Sequence, residues 1–391
     1  MRVLFDAYWW VEGQPSGRRV VDSLLRTWLT DWPEDELIAA VPARHVSRVR
    51  DLAGDPALTV VPLRLKPHGV SVMVEMGGLS GGVDVVLSQN YTPLRSSALR
   101  ATFIHDLMFV ERPEFFGRLE RLYFAGMPWS ARYAQLVLTS TAAEASRITR
   151  LRPRLASRVR PVGLTVPEPF REARAVDPQV GVAPQQFVLC VGRINIRKNL
   201  DRLINALMKK DVVRPDFPLV IVGEPDGMAV RGPKRDDPRI RFVGAVDDAG
   251  LKWLYEQCRV FVFPSLDEGF GLPVLEAALS GAAMALSDIP AFRELAPGAV
   301  FFEPTDEASI ARAVGAIIRG PHGDRPVPIP AWSDVVALIR STILDALAER
   351  ACLDRRASPP AVAHRRPTPD EPTMRLGRGG SRSTWSGREE T

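Results

Sequence analysis

Two successive runs of alternating strand and helix patterns constrain the fold of this 391-residue chain most strongly. The first run begins with the buried strand pattern RVLFD at residues 2–6, and the alternation restarts at residue 187. This pattern predicts an α/β fold of two Rossmann-like, doubly wound parallel sheets with helices on both faces. Further strands are predicted at 37–41, 58–65, 83–87, 101–104 and 136–139, then at 187–191, 219–222, 240–243, 260–263, 283–287 and 300–302.

The same pattern divides the chain into segments. Four prolines and a loss of periodicity predict a linker at 166–185 between domains at 1–165 and 186–330. Ligands bind beyond the carboxyl ends of parallel strands, so two facing sheets predict an interdomain cleft. A final helix is predicted at 331–350. Its expected buried side comprises Val335, Val336, Leu338, Ile339, Ile343, Leu344 and Leu347.

The net charge of +5 belongs mainly to the C-terminal tail at 351–391, which has eight arginines and five acids. This tail is rich in Pro, Gly and Ser, and we predict that it is disordered. A basic tail can contact lipid or nucleic acid, but we expect no nucleic-acid partner. Asp6 interrupts any signal-peptide pattern, no apolar run is long enough to span a bilayer, and the three cysteines are far apart. These features predict a cytoplasmic protein.

A cationic loop follows the predicted strand 187–191. Gly192 permits a tight turn, and Arg193, Arg197 and Lys198 follow it before a helix begins near Asn199. Cations beside a helix N-terminus suit a phosphate, because the backbone N–H groups and the helix dipole favour an anion there. A solvated basic loop is the alternative interpretation.

A second loop follows the predicted strand 260–263. Gly269 and Gly271 allow a ligand to approach the backbone closely, and Pro273 suits the first turn of a helix. Glu268 lies in the loop and Glu276 in or near the first helical turn, so both carboxylates can accept hydrogen bonds from sugar or ribose hydroxyls. The alternative for Glu276 is a surface acid that complements the helix dipole.

The two loops closely resemble those of the retaining family 4 nucleotide-sugar glycosyltransferases, which have the GT-B fold. The resemblance implies that Glu276 holds the nucleotide ribose and that Glu268 contacts the transferred sugar. It implies that Arg193 and Lys198, after Gly192, grip the diphosphate. Backbone amides of the turn would bind the sugar and diphosphate; the turn comprises Gly269, Phe270, Gly271 and Leu272.

The resemblance extends to two segments of the first half. His105 follows the predicted strand 101–104 in a His-Asp segment, and the resemblance implies that it faces the donor sugar. A structural histidine is the alternative, and we predict no metal site. In the first loop, Gly13 and Gly17 match the glycine-rich turn of the family, but Gln-Pro-Ser replaces its centre. The aromatic run at 8–10 beside this loop can stack on a sugar, cover a lipid or simply pack.

Together these features predict a retaining hexosyltransferase that resembles bacterial mannosyltransferases. Its donor would be a nucleotide-diphosphate sugar such as GDP-mannose, its acceptor a glycan or lipid-linked glycan, and it would need no cofactor. The sequence has no Asp-x-Asp pair to hold a metal ion. The alternatives are a GT-B-like epimerase or phosphorylase, a glycosidase using Glu268 and Glu276, and a non-catalytic nucleotide- or nucleic-acid-binding protein. The catalytic set is predicted as His105, Arg193, Lys198 and Glu268.

A predicted helix at 116–132 suggests where an acceptor membrane would be met. At helical spacing Phe116, Leu119, Leu122, Tyr123 and Gly126 share one side. Cations lie elsewhere on it, at Arg118, Arg121 and Arg132. Such a segment can lie on an anionic membrane, so we expect peripheral contact with the inner membrane face. The alternative is an ordinary helix that packs its apolar stripe on the first sheet.

Overall fold

A computed structural model describes residues 1–225, 237–320 and 327–357. It contains two fully parallel sheets, which confirms the predicted fold class. The first has the order β3-β2-β1-β4-β5-β6-β7 and the second the order β10-β9-β8-β11-β12-β13. The strands are β1 Arg2–Asp6, β2 Glu36–Pro42, β3 Thr59–Leu63, β4 Val85–Gln89, β5 Leu99–Phe103, β6 Leu136–Thr139, β7 Val159–Pro161, β8 Val188–Val191, β9 Leu219–Val222, β10 Ile240–Gly244, β11 Val260–Phe263, β12 Met284–Ser287 and β13 Val300–Phe302.

Helices form crossovers between most of the strands. The α-helices are α1 Trp9–Glu12, α2 Pro15–Asp31, α3 Val46–Ala53, α4 His68–Val70, α5 Met108–Glu111, α6 Arg118–Phe124, α7 Gly126–Ser130, α8 Ala142–Leu151, α9 Glu168–Glu172, α10 Leu200–Lys209, α11 Asp248–Gln257, α12 Leu272–Leu279, α13 Pro290–Leu295, α14 Glu307–Arg319 and α15 Trp332–Ala357. Short 3₁₀ turns lie at Ala43–His45, Pro113–Phe115, Ala131–Tyr133, Pro153–Arg158 and Ile196–Lys198, and a π-helical turn at Ser71–Glu75.

Each sheet is covered on both faces because its strands are apolar at nearly every position. In β1, Val3 and Phe5 contact one core cluster while Leu4 contacts the cluster on the opposite face. The same alternation occurs in β11, where Phe261 and Phe263 face one cluster and Val260 the other. Strands buried on both faces read as continuous apolar runs, which is why the sequence pattern predicts them well.

Three local features differ from the pattern predicted from the sequence. The strand β7 was not predicted, since it has only three residues and ends in a proline at the sheet edge. The single helix predicted at 116–132 is divided into α6, α7 and a 3₁₀ turn. Gly126 and Pro128 account for this break, because both disfavour a helix interior. The linker contains α9, where Pro167 and Pro169 lie at the helix start that proline tolerates.

The helix α15 begins where predicted and continues to Ala357, seven residues beyond its predicted end. The tail predicted as disordered from residue 351 therefore begins within this helix, and residues 358–391 lie outside the described residues. The buried side of α15 packs on the core of the first sheet through Trp332, Val335, Val336, Ile339 and Ile343. Leu338 and Leu344, predicted to be buried, are exposed, and Leu347 is partly buried.

Among the helices that the structure describes, none is both long enough and apolar enough to span a bilayer.

The packing of α15 predicts that substitutions at two adjacent positions have very different effects on the free energy of unfolding. Ile339→Ala removes a fully buried side chain from the first core, so we expect a loss of about 2–5 kcal/mol in the free energy of unfolding. Leu338→Ala is the matched control, since Leu338 is 46% exposed, and should change this free energy by less than about 0.5 kcal/mol. Urea unfolding of both variants measures the difference. Equal losses would contradict the described orientation of α15.

Candidate functional site

The centre of the site is a buried carboxylate held between two cations. Glu268, in the loop after β11, accepts hydrogen bonds from Arg197 at 2.5 Å and from Lys198 at 2.6 Å. Its side chain is only 10% exposed. Burial alone would raise the pKa of Glu268, but the two cations outweigh it and hold this pKa at about 2. Glu268 is therefore ionised throughout the physiological range.

The cationic loop lies beside this carboxylate, as the order of elements predicts. Gly192 directly follows β8 and has a φ of +145°. The 3₁₀ turn Ile196–Lys198 then precedes α10. Burial lowers the pKa of Lys198 to about 8, although Glu268 opposes the shift. The ammonium group of Lys198 lies 4.3 Å from the ring centroid of Phe263. The exposed Arg193 lines a small pocket with Gly192, Lys198 and Phe263.

The turn at residues 269–272 brings the two sheets into contact. A Cβ atom on Gly269 would lie 2.7 Å from Cβ of Asp106 and 2.9 Å from the carbonyl oxygen of His105. Only glycine therefore allows this approach. Gly271 has a φ of +135°, which other residues rarely adopt. Phe270 packs against the cores of both sheets, and Leu272 packs against the core of the first.

Glu276 is buried in α12, and this excludes the surface-acid interpretation. Its carboxylate accepts a hydrogen bond of 3.1 Å from the Tyr255 hydroxyl. Burial raises the pKa of Glu276 to about 7, with the Tyr255 hydrogen bond and the Arg19 charge opposing the shift. Arg19, near the start of α2, forms an ion pair of 2.5 Å with Asp248. Glu276 therefore lies near the point where α2 meets the start of α11.

His105 lies at the end of a hydrogen-bonded network that crosses the carboxyl edge of the first sheet. Gln89 donates from Nε2 to the backbone oxygen of Asp6 at 2.8 Å, and its Oε1 lies 3.0 Å from Nε2 of His105. Because Gln89 donates to Asp6, its oxygen accepts from His105, and Nδ1 of His105 carries the lone pair. The buried Asp6 carboxylate lies 2.8 Å from His68. Burial lowers the pKa of His105 to about 4, so the ring is neutral at pH 7.

A second set of polar contacts joins the two halves beside Glu268. Arg147 of α8 donates to Asp267 at 2.6 Å, and also to Glu111 and Glu144. Asp267 also accepts from the backbone N–H of Glu268 at 2.8 Å. The loop that carries Glu268 is thus fixed by an arginine of the first half. The Thr141 hydroxyl, at the N-cap of α8, donates to the Gly269 oxygen at 3.1 Å.

The loop after β1 differs from the glycine-rich turn of the glycosyltransferase family that the sequence resembles. The chain forms α1 directly after β1 and begins α2 at Pro15, so Gly13 is a short link between helices with a φ of −68°. Gly17 lies in the first turn of α2 with open space around its Cα. Tyr8 and Trp10 are buried, which favours the packing interpretation for these aromatics.

The structure brings together His105, Glu268 and the turn at 269–272, and places Arg193 and Lys198 in one loop beside them. Sequence reasoning missed several polar residues of this site. Asp6 and Gln89 share a sequence signal, because each is the polar last residue of a largely buried strand. The others have no local signal, because distant segments supply their partners; they are Arg19, Arg147 and Tyr255.

Within residues 1–225, 237–320 and 327–357, no group of three or more His, Cys, Asp or Glu residues is arranged to hold a metal ion.

Part of the chain is similar in sequence to known glycosyltransferases. Residues 185–319 match the family model for glycosyl transferases group 1. O-antigen chain mannosyltransferase B of Escherichia coli is 30% identical over 236 residues, which cover 56% of this chain and 61% of the relative. Phosphatidyl-myo-inositol mannosyltransferase of Mycobacterium tuberculosis is 38% identical over 111 residues, which cover 28% of this chain and 29% of the relative. This chain thus spans less than two thirds of the length of either relative.

The fold comparison covers more of the chain. The solved sucrose-phosphate synthase of Thermosynechococcus elongatus superposes with a TM-score of 0.61 at 16% identity, over 91% of this chain and 98% of that structure. The described residues therefore have the GT-B architecture of two facing Rossmann-like units. Within it, residues 185–319 match the glycosyl transferases group 1 model, which confirms the resemblance to glycosyltransferases for this segment.

The environment of His105 predicts how its titration responds to one substitution. Gln89→Glu places a carboxylate beside Nε2 of His105, and a neighbouring opposite charge raises a histidine pKa by about 1–3 units. Gln89→Leu removes the hydrogen bond without adding charge, and should leave the pKa of His105 well below 6.5. Histidine resonances followed by NMR against pH measure both values. An unchanged pKa in Gln89→Glu would contradict the described contact.

Proposed function

We propose that this protein is a glycosyltransferase that moves a hexose from a nucleotide-diphosphate sugar to a glycan or lipid-linked acceptor. The observation that carries the proposal is the buried Glu268 carboxylate between Arg197 and Lys198, next to the glycine turn at 269–272. A fixed anion and two cations suit a reaction in which a sugar hydroxyl is held beside a departing diphosphate.

In this proposal the donor lies along the carboxyl ends of β8 and β11. Glu276 accepts hydrogen bonds from the ribose hydroxyls, and Arg193 and Lys198 bind the diphosphate from the cationic loop. Backbone N–H groups at the start of α12 add the positive end of a helix dipole. Glu268 accepts from a hydroxyl of the transferred hexose, and the neutral His105 offers Nδ1 on the opposite wall.

The chemical step breaks the bond between the anomeric carbon and the diphosphate oxygen, and negative charge develops on that oxygen. Lys198, Arg193 and the α12 dipole stabilise this charge more in the transition state than in the ground state. We propose that these groups act without a metal ion or other cofactor. We also propose retention of the anomeric configuration, with the acceptor hydroxyl proton passing to the leaving diphosphate.

The sugar and acceptor are inferred from the relatives. Both curated relatives described above are mannosyltransferases by name, which supports mannose, carried as GDP-mannose, as the transferred sugar. One relative is named for an O-antigen chain and the other for a phosphatidylinositol. We therefore propose a polysaccharide or lipid-linked acceptor, a cytoplasmic location, and no nucleic-acid partner.

The pKa values of two donor-binding groups predict a narrow pH optimum. The ribose contact needs ionised Glu276, with a pKa of about 7, so kcat/KM for the donor should rise as pH rises through 7. The diphosphate contact needs protonated Lys198, with a pKa of about 8, so kcat/KM should fall as pH rises through 8. Steady-state kinetics against donor concentration measure this bell-shaped profile.

Variants at the same positions distinguish the two limbs. Glu276→Gln should abolish the rising limb, and Lys198→Arg should abolish the falling limb because arginine stays charged. Lys198→Ala and Arg193→Ala should each cost roughly 1.5–3 kcal/mol, or about one to two decades in kcat/KM. Wild-type kinetics in both alanine variants would refute the diphosphate assignment.

We also propose that α6 contacts an anionic membrane surface. Leu119 and Leu122 are 82% and 75% exposed, and Arg118 and Arg121 are exposed beside them. The exposed Trp129 follows in α7, with the Arg132 guanidinium 4.4 Å from its ring centroid. Contrary to the predicted stripe, Phe116 and Tyr123 pack inward while the two leucines point outward. Exposed leucines flanked by arginines suit insertion at an anionic headgroup region.

Vesicle flotation tests this surface. Wild-type protein should float with vesicles that contain phosphatidylglycerol at low salt, and Leu119→Ser/Leu122→Ser should lose most of this binding. Arg118→Gln/Arg121→Gln should show the same loss, because the anionic attraction disappears. Leu52→Ser is the matched control at another exposed leucine. Absence of wild-type binding would refute the membrane contact.

A further inference from the structure

A basic pocket lies at the carboxyl ends of β1, β2 and β3, outside the donor site. We define it by its three cations, Arg44, Arg64 and Lys66, and by the buried ring of Tyr8 at its wall. The remaining lining residues are apolar: Pro42, Ala43, Leu63 and Leu65. Three cations and no carboxylate therefore line this pocket.

The charges of this pocket are only partly neutralised by neighbouring acids. Arg44 forms an ion pair with Glu12, which also contacts His45. Within the described ranges, no ion pair involves the side chains of Arg64 or Lys66, and both are exposed. The nearby Glu75 accepts instead from the backbone N–H groups of Arg64 and Leu65 at 2.8–3.0 Å. The side-chain cations of Arg64 and Lys66 thus remain available to an anion.

The basic pocket is connected to the sugar site by packed and hydrogen-bonded groups. The Tyr8 ring lies 4.7 Å, centroid to centroid, from the His68 ring. His68 contacts Asp6 at 2.8 Å, and Asp6 accepts from Gln89, the partner of His105. The pocket and His105 therefore share one edge of the first sheet. A group in the pocket would be held on the same side of the sheet as a sugar that faces His105.

We propose that the basic pocket binds a phosphate group carried by the acceptor, a position that orients the acceptor hydroxyl toward the donor sugar. This inference rests on the proposed glycosyl transfer and specifies the acceptor class. Arginine forms paired hydrogen bonds with phosphate oxygens, and lysine adds a point charge. The phosphate belongs either to a soluble phosphate ester or to a lipid headgroup, since both present the same group.

Binding of sn-glycerol 3-phosphate, measured by isothermal titration calorimetry, tests the pocket. We expect Arg64→Gln/Lys66→Gln to weaken this binding at least about tenfold, because two charge-assisted contacts are lost. Arg64→Lys/Lys66→Arg keeps both charges and should bind within about threefold of wild type. Arg48→Gln, an exposed arginine of α3 outside the pocket, should bind as wild type does. Wild-type binding by Arg64→Gln/Lys66→Gln would overturn the proposal.

A second set of binding measurements separates this proposal from the donor site. Lys198→Ala should lose nucleoside diphosphate affinity but keep its affinity for sn-glycerol 3-phosphate. If it loses both, phosphate binds only at the donor site and the pocket proposal is wrong. If no nucleoside diphosphate binds wild type while the pocket variants still lose phosphate binding, the glycosyl-transfer proposal fails and the pocket stands.

The source of the phosphate is tested with vesicles of phosphatidylcholine with and without phosphatidic acid. These use the Leu119→Ser/Leu122→Ser background, so that α6 does not contribute. A loss of phosphatidic-acid binding on adding Arg64→Gln/Lys66→Gln supports a lipid phosphate in the pocket. A loss restricted to sn-glycerol 3-phosphate supports a soluble phosphate ester. Retention of both ligands by this variant overturns the proposal.

Discussion

The site depends on one close approach, where the backbone of Gly269 lies against His105 and Asp106 of the other sheet. No side chain fits between these segments, because a Cβ atom at position 269 would lie within 3 Å of both. Phe270 secures the contact by packing on both cores, and Arg147 secures it by pairing with Asp267. Residues from distant parts of the chain, 120 positions apart for Arg147 and Asp267, thus form opposite walls of one site.

Burial has opposite consequences for the two glutamates of this site. Glu268 faces two cations, which keep it ionised despite its burial. Glu276 has mainly the Tyr255 hydroxyl as a partner, and burial raises its pKa to about 7. The difference follows from neighbouring charge, since both carboxylates are removed from water. In the proposed function, this difference gives the two acids different roles: a permanent anion at the sugar and a titrating hydrogen-bond acceptor at the ribose.

The sequence predicts the two sheets because buried parallel strands are short apolar runs that recur between helical patterns. It also predicts that Arg193, Lys198 and Glu268 lie in loops after strands and that Glu276 lies in the helix that follows, since ligand-binding groups collect at strand ends. It does not predict the broken helix at α6 and α7, where Gly126 and Pro128 override the apolar periodicity. Periodicity alone could not separate the exposed Leu119 from the partly buried Phe116.

The remaining partners could not be read from the chain because they are set by tertiary contacts. Arg147 lies on a helix surface that only the closed arrangement places beside Asp267. Tyr255 becomes the partner of Glu276 through the packing of α11 on α12. Gln89 shows a partial signal as the polar end of β4, but its partner His105 belongs to the loop after the neighbouring strand. Local pattern identifies candidates, whereas their pairing follows from the sheet order.

The most direct test of a nucleotide-sugar site is thermal stabilisation by a panel of nucleoside diphosphates in the presence of EDTA. A ligand that binds only the folded protein at 100 times its Kd stabilises it by about 2.7 kcal/mol. We predict that at least one diphosphate raises Tm without added metal, and that Glu276→Gln and Lys198→Ala reduce this shift. The account would be contradicted if no diphosphate raised Tm, or if stabilisation appeared only after addition of Mg²⁺ or Mn²⁺.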